Sequence, residues 1–355
     1  MKTGTVKKLP REGIKKILIR GTNWIGDAVL TLPAVASIRA AYPQAHIAML
    51  VKPWVADIYK IFSDLDEVIL YENKYDSSTG VFRLAQKLKE KKFDAAILLQ
   101  NAIEAAIIAV AAGIPVRAGY DSDARGLLLT HKVHRTREIR KVHQVDYYLE
   151  MTKALGCVPV NREMNLETKI NLEDAQNVVR QYVSETNKMM IGLAPGATYG
   201  AAKKWFPERF AETISRINEK FPAQGIILGG RGDRDTALHV QKSSRTEIIN
   251  LAGETSLREA VYLISQCRLF ISNDSGLMHV AGALNIPTIA IFGSTNPVTT
   301  APVGKKSIVV RKEVSCSPCL KKTCPTDFRC MNLISAQDVL SVAENLLSDH
   351  RDKKP

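Results

Sequence analysis

Aromatic residues are scarce in this 355-residue chain, at 6% of the sequence, and no RNA-binding or helix-turn-helix signature accompanies its basic residues. Proteins that grip nucleic acid concentrate their positive charge in patches and add stacking platforms or a groove-reading motif. Scattered Lys and Arg without either argue against a nucleic-acid partner. Long hydrophobic runs are missing too. The longest nearly uncharged apolar stretch, Ala105 to Val116, falls short of the roughly 20 residues that span a bilayer, and the N-terminus lacks the apolar core of a signal peptide. The expectation is a soluble, cytoplasmic protein. Low-complexity sequence is absent apart from the charged tail Asp349–Pro355.

What is present is a hydrophobic content of 45% and enough length for two domains with packed cores. The net charge of +13 favours an anionic partner: nucleic acid, a phosphorylated substrate or an anionic membrane surface. Short β-branched runs alternate with helical periods. Strands are expected at Ile17–Ile19, His46–Val51, Val68–Tyr71, Asp94–Leu99 and Val116–Gly119, and a second series at Met189–Ala194, Gly225–Leu228, Leu269–Ser272 and Thr288–Phe292. Helices are expected between them, near Ala28–Ala41, Val81–Lys91, Ile103–Ala112, Pro207–Lys220, Leu257–Gln266 and Gly276–Leu284. This rhythm predicts an α/β protein of two Rossmann-like doubly wound domains, residues 1–170 and 171–355, facing a cleft. A final amphipathic helix, Ala336–Leu347, is free to pack on either.

Gly21-Thr22-Asn23-Trp24-Ile25-Gly26-Asp27 directly follows the first strand. Its glycines have P-loop spacing, but Asp27 and Ala28 stand where a phosphate-binding loop needs Lys and Ser or Thr. A carboxylate there repels phosphate and suits a base directed at a neutral hydroxyl. In the second half, Ser272-Asn273-Asp274-Ser275-Gly276-Leu277-Met278-His279 runs from a strand into a helix. Free backbone N–H groups and the helix dipole make that junction an anion site over Ser275 and Gly276. Asp274 there accepts from sugar hydroxyls or caps the helix, and His279 donates to a phosphate or is structural. Lys203-Lys204 follow the Pro195-Gly196 turn and bring positive charge to the same sheet edge. In Gly229-Gly230-Arg231-Gly232-Asp233, a glycine turn ends in an acid suited to ribose hydroxyls or to a helix N-cap. Lys132–Gln144 is the densest basic run, with Arg135, Arg137, Arg140 and Lys141. It reads as a solvated face or as a contact for acceptor phosphates. Four of six cysteines, Cys316, Cys319, Cys324 and Cys330, crowd together, at a spacing tighter than a common zinc ribbon. Structural zinc, free thiols and a local disulfide are the three readings.

Taken together, GTNWIGDAVLTLPA, PGATYGAAKKWFP, GGRGDRD and SNDSGLMHVAGALNIPTIAIFGSTNP resemble the ADP-heptose:lipopolysaccharide heptosyltransferases, the family nine glycosyltransferases of Gram-negative bacteria, from about Lys15 to Leu347. The resemblance implies a GT-B fold, an acceptor in the N-terminal domain and ADP-heptose in the C-terminal one. It implies inverting transfer to the inner-core heptose with no cofactor, at the cytoplasmic face of the inner membrane where phosphorylated lipid A and core are found. By motif, Asp27 matches the general base and Lys203 the lysine on the donor phosphates, with Lys204 its neighbour in contention. Asp233 matches the ribose contact, often Glu in related enzymes, and Asp274, Ser275, Gly276 and His279 match the sugar and diphosphate loop. The motifs are read as holding no Asp-x-Asp metal pair. The remaining alternatives are another heptose or sugar-nucleotide transferase and a non-catalytic binder of phosphorylated glycolipid.

Overall fold

A computed structural model of the protein describes residues 6–348, except 63, 159, 165, 185 and 186; the charged tail lies outside the described residues. They divide into two compact units, one ending at Arg162 and one beginning at Glu163.

The first unit is built from β1 (Lys16–Arg20), α1 (Ile25–Ala41), β2 (His46–Val51), α2 (Ala56–Phe62), β3 (Glu67–Leu70), α3 (Ser78–Glu90), β4 (Ala95–Leu98), α4 (Ile103–Ala111), β5 (Val116–Tyr120), β6 (His131–Val133) and α5 (Gln144–Ala154). Its strands pair in parallel in the order β3-β2-β1-β4-β5-β6. Parallel sheets are covered on both faces, so their central strands are apolar throughout. Ile17, Leu18 and Ile19 of β1 and all of β4 are buried accordingly. Helix α1 carries apolar residues around most of its circumference because it is enclosed, packing on α5 as well as within the unit.

The second unit contains α6 (Leu172–Tyr182), β7 (Met189–Ala194), α7 (Pro207–Lys220), β8 (Ala223–Ile227), α8 (Arg234–Ser243), β9 (Ile248–Asn250), α9 (Leu257–Ser265), β10 (Leu269–Asn273), α10 (Gly276–Ala283), β11 (Thr288–Ile291), α11 (Pro297–Thr300), β12 (Ser307–Val310), α12 (Arg329–Asn332) and α13 (Ala336–Ser348). Its sheet is again all parallel, in the order β12-β11-β10-β7-β8-β9. Counted within each unit, both sheets run 3-2-1-4-5-6, the doubly wound order of dinucleotide-binding folds. The order reverses between β1 and β4 in one unit and between β7 and β10 in the other. Trp205 and Phe210 meet edge to face, ring centroids 5.0 Å apart, in the second core. Val339, Leu340, Ala343 and Leu347 of α13 join that same core, which answers where the last helix packs its apolar stripe. Among the described residues no helix is long and apolar enough to cross a membrane.

Candidate active site

In doubly wound sheets ligands bind beyond the carboxyl ends of the strands, at the point where the order reverses. Asp27 lies at that point in the first unit. The chain leaves β1 through Gly21, where an added Cβ would stand 2.6 Å from Val51 and 2.9 Å from the Met49 sulfur. That close approach requires glycine. It then enters α1, and Asp27 sits half-buried in the first turn, where the helix dipole favours a carboxylate. Arg20 fixes the approach. Its buried guanidinium donates to the Gly21 carbonyl at 2.6 Å and to Asn23 Oδ1 at 3.1 Å, and burial lowers its pKa to about 10, which leaves it cationic at neutral pH. Around Asp27 stand two fully buried tyrosines. Tyr59 shares a hydrogen bond of 2.9 Å with Thr31 Oγ1, and burial, helped by the Asp27 charge, raises its pKa. Tyr148 is likewise raised well above its ordinary value, first by burial and then by the same carboxylate.

Tyr148 also feels the Arg135 guanidinium, which lies 5.6 Å from the Tyr147 ring centroid. The structure thus separates the basic run. Arg135 is half-buried beside the tyrosines that flank Asp27, whereas Arg137, Arg140 and Lys141 are exposed. Beyond β4, Asn101 donates to the Tyr147 hydroxyl at 2.8 Å and accepts from buried Arg125 at 3.0 Å. Arg125 also donates to the carbonyls of Tyr120 and Gln100, tying the ends of β4 and β5 together. Arg20, Arg125, Asn101 and the tyrosines of α5 escaped the sequence reading. The apolar period Val145, Tyr148, Met151 and Leu155 was the available signal for α5.

In the second unit Asn273 staples the reversal point, accepting from the Trp205 amide at 3.0 Å and donating to the Pro195 carbonyl at 2.7 Å. The loop after β10 therefore faces the loop after β7. Across this junction Lys203 Nζ meets Asp274 Oδ2 at 2.6 Å, their side chains 15% and 4% exposed, and Thr295 donates to the same oxygen at 2.6 Å. Lys204 turns instead toward Thr236, so the geometry distinguishes the two lysines. Asp274 does not cap α10. Ser275 occupies the N-cap position without a side-chain cap bond, its hydroxyl being engaged with Ser272. Gly276 opens the helix, and His279 is buried in the first turns behind it.

Asp233 is folded back on its own turn, accepting from the Gly230 amide at 3.0 Å. It lies so close to the β7 loop that a Cβ on Gly196 would stand 2.2 Å from its carboxyl carbon. Asp233-Arg234-Asp235 has Asp-x-Asp spacing. However, among the described residues no group of three or more His, Cys, Asp or Glu is placed to hold a metal ion. The zinc reading of Cys316, Cys319, Cys324 and Cys330 gains no support from this geometry. Instead, the backbone of the cysteine segment braces the lysine loop. The Ala202 amide donates to the Lys322 carbonyl at 3.0 Å, and the Tyr199 hydroxyl donates to the Leu320 carbonyl at 2.8 Å. Gly200 is pressed so closely that a Cβ would be 2.3 Å from the Lys322 oxygen. A cavity of about 560 Å³ lined by residues including Arg180, Met189 and Arg268 opens at the other edge of this sheet, where the strands begin, away from these loops.

Two doubly wound units, one presenting a helix-borne carboxylate and the other a lysine beside a helix N-terminus, have the architecture of the GT-B class. Residues 81–328 match the model of glycosyltransferase family 9 (heptosyltransferase), and the chain belongs to that family. It is 30% identical to lipopolysaccharide heptosyltransferase 2 of Escherichia coli K12, over 83% of this chain and 88% of that one. To lipooligosaccharide heptosyltransferase 2 of Campylobacter jejuni it is 26% identical, over 94% of this chain and 99% of the relative. The solved structure of E. coli ADP-heptose lipopolysaccharide heptosyltransferase II superposes with a TM-score of 0.82 at 27% identity, covering 95% of this chain and 99% of that one.

Proposed function

We propose that this enzyme moves heptose from ADP-L-glycero-D-manno-heptose to the inner-core heptose of lipopolysaccharide, the heptosyltransferase II reaction. The observation that carries the reading is the pairing of the two loops above with relatives named for that reaction over most of their length. Asp27 takes the proton of the acceptor hydroxyl as its oxygen attacks the anomeric carbon. The bond from that carbon to the diphosphate breaks, and ADP leaves with both bonding electrons. Lys203 and the amides at the start of α10 receive the developing charge, and Asp233 accepts from the ribose hydroxyls. A single displacement inverts the anomeric centre and requires no metal. Arg135, half-buried beside Tyr147, meets an acceptor phosphate. The net charge of +13 suits peripheral attachment to the anionic cytoplasmic face of the inner membrane.

The test is transfer from ADP-heptose to heptose-primed and unprimed Kdo2-lipid A. Product on the primed acceptor alone is expected. Product on the unprimed acceptor would reassign the enzyme to the first heptose, and product on neither would overturn ADP-heptose as donor.

The assignment of Asp233 has its own check. In Gly196→Ala the new methyl must displace the Asp233 carboxylate. Loss of one well-placed hydrogen-bonding group is worth about 1.4 kcal/mol, so the KM for ADP-heptose should rise about tenfold, with the acceptor KM unchanged. An unmoved donor KM would take Asp233 out of the donor site.

A further inference from the structure

Of the three tryptophans in the chain, Trp205 is wholly buried, but Trp24 and Trp54 are 60% and 50% exposed. Large aromatic side chains left in water on adjoining loops mark a binding surface more often than a defect of packing. Both stand at the carboxyl edge of the first sheet, Trp24 as the N-cap residue of α1 three positions before Asp27, Trp54 just after β2. They are linked. The Trp54 indole N–H donates to the Asn23 carbonyl at 2.8 Å, which fixes the Trp54 ring to the loop that carries Trp24. Beneath that surface, Lys52 pairs with Asp76, and its ammonium lies 3.9 Å from the Tyr71 ring centroid and 5.8 Å from that of Trp54. This lysine is only 7% exposed and already engaged, so the outward face of the patch is aromatic rather than cationic.

We propose that Trp24 and Trp54 form a platform for the sugar rings of the acceptor, a subsite for uncharged carbohydrate distinct from any phosphate contact of Arg135. The proposal rests on the heptosyltransferase reading for the identity of the sugar. A pyranose face presents several C–H bonds with slight positive charge, which match the negative face of an indole, while its hydroxyls remain at the ring edge for water and polar neighbours. A ring held in place by its own N–H loses little rotamer freedom when a ligand lands on it. Stacking there positions the acceptor over the first turn of α1, where its hydroxyl comes within reach of Asp27. The surface supplies binding and orientation, and Asp27 keeps the chemistry.

The experiment compares Trp54→Ala, Trp54→Phe and Trp24→Phe with the wild type, in transfer assays and by tryptophan fluorescence with deacylated heptose-primed core oligosaccharide added without donor. Trp54→Ala should raise the acceptor KM about tenfold while the KM for ADP-heptose and kcat at saturating acceptor stay within twofold. Trp54→Phe, which keeps a ring but loses the anchoring N–H, should recover most of that loss. In the wild type the oligosaccharide should give a saturable emission shift, reduced in each Phe variant. An equal rise in the donor KM would make the surface a base-stacking site and overturn the proposal. So would an unchanged acceptor KM, or the absence of any fluorescence change in an enzyme that transfers normally. If the wild type transfers no heptose but the oligosaccharide still shifts its emission, the platform stands and the assigned reaction falls.

Discussion

Asp27→Asn is expected to lower kcat by 10²- to 10⁴-fold, the usual worth of a positioned general base, while ADP-heptose binds with unchanged affinity. The amide keeps the size and most of the hydrogen-bonding geometry of the carboxylate. It cannot accept the proton that the acceptor hydroxyl must lose. The surroundings of Asp27 make the substitution selective. Its neighbours Tyr59 and Tyr148 are buried phenols whose pKa values are pushed up by burial and by the Asp27 charge, so neither ionises to replace the base near neutral pH. Arg20 holds the loop from below by its own bonds to Gly21 and Asn23, which the substitution leaves in place. Steady-state kinetics with donor binding measured by calorimetry decide the matter. Turnover within tenfold of the wild type would reduce Asp27 to a residue that orients the acceptor.

Lys203→Met should have the second largest effect, and on two quantities together. In the proposed reaction the ammonium faces the donor phosphates, so its removal should lower both donor affinity and kcat about 10²-fold or more. It also leaves Asp274, a side chain only 4% exposed, without its cation. Orphaning one partner of a buried pair costs about 3 kcal/mol, and for a unit of this size that is a fall in Tm of about 6 to 12 °C. The two losses separate in the double variant Lys203→Met with Asp274→Asn. The neutral amide can still receive the Thr295 hydrogen bond and needs no counter-ion, so thermal stability should return while donor binding stays weak. Recovery of both would mean that the lysine serves folding alone.

The central strands were legible because parallel sheets enforce continuous apolar runs, and Ile17–Ile19, Met189–Ala194 and Leu269–Ser272 stand out from their polar surroundings. The short outer strands β6, β9 and β12 were missed. Each is three or four residues long with partly exposed or charged positions, and each takes its strand conformation from pairing with a neighbour rather than from its own pattern. The loops of the candidate site were legible as turns for a related reason, since glycine punctuates the end of a strand. What stayed hidden was the support. Arg20 reads as the polar end of a strand, Arg125 as a loop cation and Asn273 as turn punctuation, until the tertiary fold brings the carbonyls and amides that each one ties together. Local sequence cannot reveal a partner 68 positions away, as Asn273 is from Trp205.

The cysteine segment touches the lysine loop through main-chain oxygens, those of Leu320 and Lys322. Carbonyl groups are the same for every amino acid, so this buttress reads path length and curvature and is indifferent to side-chain identity. Substitution at Leu320, Lys321 or Lys322 is therefore expected to be mild for the lysine loop, whereas removing one of the three shifts a carbonyl and takes the support from beneath Gly200. In such a stretch, tolerance of mutation and tolerance of deletion part company.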